Sequence, residues 1–321
     1  MPEGPLPDRH LPAALRNRLG LDADPLPLPP KGMAHAHLRL PGGVLARVPR
    51  WSQIGLDPAA NLRHQATAFT RAAPGGHTPP LAGVLEPGAD LPMGALLVEE
   101  IAGRPPRLPD DMPAIAHALA SLHVLSAEPA ANPIQATIRV IERQAPCFAR
   151  AGLARETLAH LDAELEWVRT LPTTPEPPVA LVGTDTHPGN FLIDDRGKAW
   201  FVDLEKATDG LPAIDLAHAS LYTSTTWDPD VAAVLSREDT RRFYAAWSDA
   251  VPPAMAEAVR PWFGIARRLV WLRTLSWMAR WKVEGSAAFG AGIDPRTVAH
   301  VRERIEDFFD PATIARVRDS L

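Results

Sequence analysis

The sequence predicts an α+β chain of two lobes, a small β-rich one followed by a larger, mainly helical one. Three observations predict it. Short runs bounded by turn residues fill the first third, above all HAHLRL and VLARV around Pro41-Gly42-Gly43. The remainder carries apolar residues mostly at helical spacing. One hairpin interrupts that remainder, FLI and AWFV flanking Asp194-Asp195-Arg196-Gly197. Strands first and helices after is the α+β order.

Taken along the chain, residues 1–25 read as an extension with one helix, Leu11 to Leu19. Residues 26–102 form the first lobe and residues 103–321 the second. In the Pro-Gly-Gly hairpin, Val44, Ala46 and Val48 share one face, and Leu45 and Arg47 the other. Residues 57–72 read as a helix with Asp57 as N-cap and Pro58 at its first position. The stretch 73–80 reads as a loop and ALLVEEI (95–101) as a strand. A turn-rich GRPPRLPDD then leads into a helix from Met112 to Leu125, whose Ile115, Leu119 and Leu122 mark a buried face. Residues 134–170 read as one or two helices, VALVG as a buried strand, and the rest from 211 as mostly helix, the longest from about Pro261 to Val283.

Composition narrows the function. With 33 basic and 38 acidic residues the net charge is −5, which argues against a general nucleic-acid binder. A single cysteine, Cys147, allows no intrachain disulfide. No apolar run approaches a membrane span, and MPEGPLPDRHL is no secretory signal, so a cytoplasmic protein with no membrane contact is expected. His35 and His37 alternate onto one strand face, but no carboxylate or cysteine completes a metal set around them in the sequence. The helix 260–283 carries four tryptophans and six basic residues. Tryptophan is well buried on average, which favours a core helix over a basic, aromatic docking face.

The chemistry concentrates in residues 179–216. Asp185 follows a buried strand in the loop TDTHPGN, Asn190 opens the hairpin, and Asp203 closes it. A hairpin returns its chain near its start, so two carboxylates and an amide carbonyl can converge as hard oxygen ligands suited to Mg²⁺. The first aspartate would remain to orient an incoming hydroxyl.

This segment resembles the catalytic core of the aminoglycoside phosphotransferase and choline kinase family, within the protein-kinase-like fold. That family carries H-G-D-x-x-x-x-N, a short hairpin, then D-[FW]-[EG]. The matching residues are Gly183-Thr184-Asp185, Asn190 and Asp203-Leu204-Glu205, with His187-Pro188-Gly189-Asn190 resembling the family's frequent H-P-G-N. The resemblance implies Asp185 as catalytic base, and Asn190 and Asp203 as Mg²⁺ ligands. It implies a structural role for Asp215 in LPAIDLAHAS. It nominates Arg47 of VLAR, with Lys31 of the covering loop KGMAHAH, for the phosphates. Glu99 and Ile101 in LLVEEIAGRP are nominated for the hinge that meets the base of ATP or GTP. The helix that usually supplies a glutamate partner for the basic residue offers Gln65 instead. Gly183 and Thr184 replace the family's His-Gly, and the covering loop has one glycine.

The resulting expectation is an ATP- and Mg²⁺-dependent transfer of a γ-phosphate to a hydroxyl of a small molecule. The acceptor stays open between choline-like amines, which aromatic faces bind by cation–π attraction, and aminoglycosides, which call for acids. His187, Glu205, Trp227 and Asp228 are the candidate acceptor contacts. A non-catalytic pseudokinase that binds a nucleotide or a protein partner is the alternative. A protein kinase is disfavoured, because no A-P-E follows Asp203 and Asp215 arrives after only twelve residues.

Overall fold

Alternation along three strands organises the N-terminal third. The structure, a computed structural model, describes residues 8–29, 34–128, 132–171, 176–285 and 295–321. It opens with α1 (Leu11–Leu19). A five-stranded antiparallel sheet follows, made of β1 (Leu26–Pro27), β2 (His35–Leu40), β3 (Val44–Pro49), β4 (Leu81–Leu85) and β5 (Ala95–Glu99) in the order β1-β2-β3-β5-β4. The Pro-Gly-Gly turn sets the β2–β3 register, with Ala36 opposite Val48 and His37 opposite Arg47. Ala36, Leu38 and Leu40 of β2 pack with Ala46 and Val48 of β3 and Ala95 of β5 against Leu11 and Leu15 of α1. A period of two therefore sends His35, His37 and Arg47 to the opposite face, toward the second lobe.

That second face is covered by α2 (Pro58–Ala72). Its N-terminus is fixed as expected, since the Asp57 side chain accepts from Ala60 N–H. Leu62, Ala68 and Phe69 of α2 join Leu96 and Val98 of β5 in the main core.

The helical lobe contains α3 (Met112–His123), α4 (Pro133–Gln144), α5 (Arg155–Arg169) and, later, α6 (Pro212–Ser220), α7 (Tyr222–Thr225), α8 (Arg237–Ala250), α9 (Pro253–Val259), α10 (Phe263–Glu284), α11 (Pro295–Phe309) and α12 (Pro311–Arg318). Between α5 and α6 lie two small antiparallel pairs, β6 (Ala180–Val182) with β9 (Thr208–Gly210) and β7 (Phe191–Ile193) with β8 (Ala199–Phe201). Helix α10 is the core helix that its tryptophans favoured. Trp271 and Trp281 are buried, while Arg268 pairs with Glu164 of α5 and Arg280 with Glu284. It starts two residues later than expected because Pro261 sits in a short 3-10 turn, Arg260–Trp262. Among the described residues no helix is long and apolar enough to cross a membrane.

Candidate active site

The site is built on the loop between β6 and β7, and that loop hangs from one buried carboxylate. Asp215, in the first turn of α6, accepts from the backbone N–H of Gly183 at 2.7 Å and of Thr184 at 2.8 Å. A third donor is His123 Nε2 on α3, at 3.1 Å. The indole N–H of Trp247 donates to His123 Nδ1 at 2.9 Å, which places the imidazole proton on Nε2, facing Asp215. Thr186 Oγ1 adds a bond to the Asp215 carbonyl at 2.8 Å. All these groups are buried or half-buried, so each bond replaces water that cannot reach them.

The two departures from the family pattern have local causes. A Cβ at Gly183 would come within 2.6 Å of the Phe201 ring, so the β8 phenylalanine fills the space that a side chain there would need. Thr184 takes the left-handed backbone, φ 59°, that glycine takes elsewhere. It is held there by its hydroxyl, which donates to the Lys206 carbonyl at 3.0 Å, and by Arg273, which donates to the Thr184 carbonyl at 2.9 Å.

Asp185 then projects into the cleft between lobes. Its Oδ2 accepts from Lys206 Nζ at 2.6 Å, and its Oδ1 lies 3.8 Å from His218 Nε2. Burial alone would raise its pKa, but the Lys206 ammonium reverses this and holds the carboxyl far below the usual range. Burial likewise pushes the His187 and His218 imidazoles down, His218 to about 3. Asn190 Nδ2 donates to the Asp185 carbonyl at 2.7 Å, which leaves its amide oxygen without a hydrogen bond among the described residues.

Across the cleft, Arg47 of β3 reaches the end of the second hairpin. It donates to the Val202 carbonyl at 2.6 Å and to Asp203 Oδ1 at 2.9 Å, with its guanidinium over the Phe69 ring. Glu205 N–H donates to the same Asp203 oxygen at 3.3 Å. The donor set fits Mg²⁺: Asn190 Oδ1 and the second Asp203 oxygen are hard oxygens left free by these bonds. Gln65 does not meet Arg47. It lies buried beside His35, Nε2 to Oε1 3.3 Å.

Glu205 is buried, its Oε1 bonded to the Gln53 amide and its Oε2 3.6 Å from His35 Nδ1. Burial and the neighbouring Asp203 push its carboxyl up to about 8. Its side chain therefore belongs to the lobe junction and not to open space where an acceptor would sit.

The remaining candidates fall around the cleft. Glu99 ends β5 and its N–H donates to the Pro80 carbonyl at 2.9 Å, and Ile101 follows, half-buried. Asp228 lies directly on the loop that carries Asp185 and Asn190, against Gly189, where a Cβ would collide with its carboxylate. Trp227 stands edge-on to Trp277 with ring centroids 5.9 Å apart and tilts over His300. His187 stacks edge-on to His218 at 6.2 Å. Lys31 lies outside the described residues. Two site residues went unassigned in sequence, Lys206 and His218. Each lies three positions after a motif aspartate, Asp203 and Asp215, and His218 shares a face of α6 with Asp215.

A family model described as the phosphotransferase enzyme family matches residues 42–252, which contain every site residue named above except Lys31, His35, Arg273, Trp277 and His300. The chain belongs to this family. Its class is that of a small-molecule kinase, and its fold is protein-kinase-like. Among solved structures, an aminoglycoside 2′-phosphotransferase-IIIa in its GDP complex is 14% identical, covering 94% of this chain and 98% of that one with a TM-score of 0.60. A choline/ethanolamine kinase family protein from Mesorhizobium loti is 19% identical, covering 97% and 98% with a TM-score of 0.55. An ethanolamine kinase from Plasmodium vivax is 12% identical, covering 89% and 80% with a TM-score of 0.58. At such identities the likeness is one of fold. No curated protein matches this chain in sequence.

Proposed function

We propose that this phosphotransferase moves the γ-phosphate of ATP or GTP to a hydroxyl of a small amino-alcohol-like or aminoglycoside-like acceptor. One observation carries the reading. Asp185 is kept ionised by Lys206 and its neighbours, on a loop whose other end presents Asn190 beside the Arg47–Asp203 pair.

In this reading Asp185 Oδ1, the oxygen not held by Lys206, accepts a hydrogen bond from the acceptor hydroxyl and orients its lone pair at the γ-phosphorus. As the new O–P bond forms, the bond to the β-phosphate oxygen breaks and the hydroxyl proton passes to Asp185. A carboxylate held so low in pKa is a weak base, so it chiefly positions the hydroxyl and takes the proton late, as suits a loose transition state. Asn190 and Asp203 would hold Mg²⁺, which when bound neutralises charge on the triphosphate. Arg47, and Lys31 from the covering loop, would add cationic contacts to the phosphates. The backbone around Glu99 and Ile101 would receive the base. Asp228 beside the catalytic loop, with Trp227 and His187, offers an acid and aromatic faces to a cationic acceptor.

The test is transfer of labelled γ-phosphate from ATP and from GTP to a panel of choline-like amines, ethanolamines and aminoglycosides. Asp185→Asn is expected to lower turnover by about 10²–10⁴-fold with an unchanged melting temperature. Full activity in that variant would remove Asp185 from the chemistry. Nucleotide binding without transfer to any acceptor would favour the pseudokinase alternative.

A further inference from the structure

The face of β2 that looks into the cleft carries a histidine that the phosphotransferase reading does not use. His35 is 4% exposed. Its Nε2 lies 3.3 Å from Gln65 Oε1, which fixes the proton on Nε2 and leaves the Nδ1 lone pair pointing the other way. Facing that lone pair, 3.6 Å away, is Glu205 Oε2, and the Asp203 carboxylate completes a group whose ligand atoms all lie within 4.8 Å of one another. Each of the three is already held on its far side. Gln65 holds His35, Gln53 holds Glu205 Oε1, and Arg47 holds Asp203 Oδ1. Nδ1, Oε2 and the second Asp203 oxygen carry no hydrogen bond among the described residues.

Three donor atoms turned toward one point, two of them on side chains at least nine-tenths buried, make a group that a divalent cation satisfies by displacing the proton that burial favours on Glu205. We propose that His35, Asp203 and Glu205 form a site for a first-row divalent transition ion, taking Mn²⁺, Co²⁺ or Zn²⁺ ahead of Mg²⁺ and fastening β2 to the segment after β8. The proposal shares Asp203 with the phosphotransferase reading but requires no nucleotide.

The donor chemistry sets the preference. Mg²⁺ takes hard oxygens and keeps its waters, whereas an imidazole nitrogen suits the transition ions. Ligand bonds of about 2.1 Å let two donors stand at most about 4.2 Å apart across one ion, so a sub-ångström closure of the group completes it. Gln65 then acts as the outer partner that orients a metal-binding histidine. This gives a physical use to the glutamine that stands where the family resemblance calls for a glutamate partner of Arg47. It also explains why the sequence hid the site: the carboxylates that complete it come from the other lobe.

The experiment is titration of the nucleotide-free full chain with Co²⁺, followed by visible absorption, and with Mg²⁺, followed by calorimetry. One Co²⁺ per chain is expected, bound at least ten-fold more tightly than Mg²⁺. His35→Gln should weaken Co²⁺ binding at least ten-fold, and Gln65→Leu by about 10–100-fold. If either variant folds poorly, an anomalous map of Co²⁺-soaked wild-type crystals decides, with a peak expected about 2.1 Å from His35 Nδ1. Undiminished Co²⁺ binding in folded His35→Gln, or a peak on Asp203 with His35 turned away, would overturn the proposal. Co²⁺ binding that depends on His35 in a chain with no nucleotide affinity would keep this site and sink the phosphotransferase reading. Nucleotide binding without a Co²⁺ site would do the reverse.

Discussion

Thr184 occupies a backbone conformation that β-branched residues rarely adopt, at the residue immediately before Asp185. The left-handed well costs a non-glycine residue about 1–2 kcal/mol. The Thr184 hydroxyl offsets about 1 kcal/mol of that through its bond to the Lys206 carbonyl. The same bond fixes the backbone of the lysine whose ammonium holds Asp185, so Thr184 also ties the loop to the counter-ion of Asp185. Thr184→Gly loses both the strain and the bond and should leave stability within about 1 kcal/mol of wild type. Thr184→Val keeps the strain and loses the bond, and should cost about 1–2 kcal/mol. Urea unfolding of the two variants checks this, and a valine variant as stable as the parent would show that the hydroxyl holds nothing.

At the scale of elements, a short strand, a loop and a helix are joined through Asp215. The N-terminal turn of α6 presents its carboxylate to two consecutive N–H groups after β6, and α3 and α8 reach the same carboxylate through His123 and Trp247. Asp215→Ala leaves those donors buried and unpaired and should destabilise the fold by about 3 kcal/mol or more, read by denaturant unfolding. A loss under about 1 kcal/mol would mean that water or another group substitutes. Much of this level was legible in the sequence. Asp57-Pro58 announced α2, Pro41-Gly42-Gly43 the first hairpin, and Asp194 to Gly197 the second, because caps and turns are local chemistry. Strands β4 and β9 were not legible. LAGVL is interrupted by a register shift near Gly83, and Thr208-Asp209-Gly210 has no apolar alternation. Nor were the partners of the site residues. Arg47 and Asp203 are 156 residues apart, and Gln65 faces His35 only once β2 and α2 have packed.

For the whole molecule, the proposed function requires the two lobes to be held against each other. Arg71 of α2 pairs with both oxygens of Asp209 in β9, at 2.6 and 3.0 Å, and Arg47 of β3 pairs with Asp203. The second hairpin is also pinned to the first lobe, with Phe201 N–H donating to the His77 carbonyl at 2.8 Å and His77 Nδ1 bonded to the Ala199 carbonyl. The arrangement brings the Asp203 carboxylate, the Arg47 cation and the Asp185 loop together, as the positioning catalysis proposed above requires. The measurement that tests this account most directly is thermal melting with Mg²⁺ alone, ATP or GTP alone, and the two together, on wild type and on Asp203→Asn, which keeps an oxygen for Arg47. A ligand at about 100 times its dissociation constant adds about 2.7 kcal/mol to the folded state. For a chain of this size that is a rise of about 4 °C. The account predicts such a rise for wild type only with nucleotide and Mg²⁺ together, and its loss in Asp203→Asn. A wild-type midpoint unmoved by millimolar Mg²⁺ and nucleotide, or a full shift retained in the variant, would contradict it.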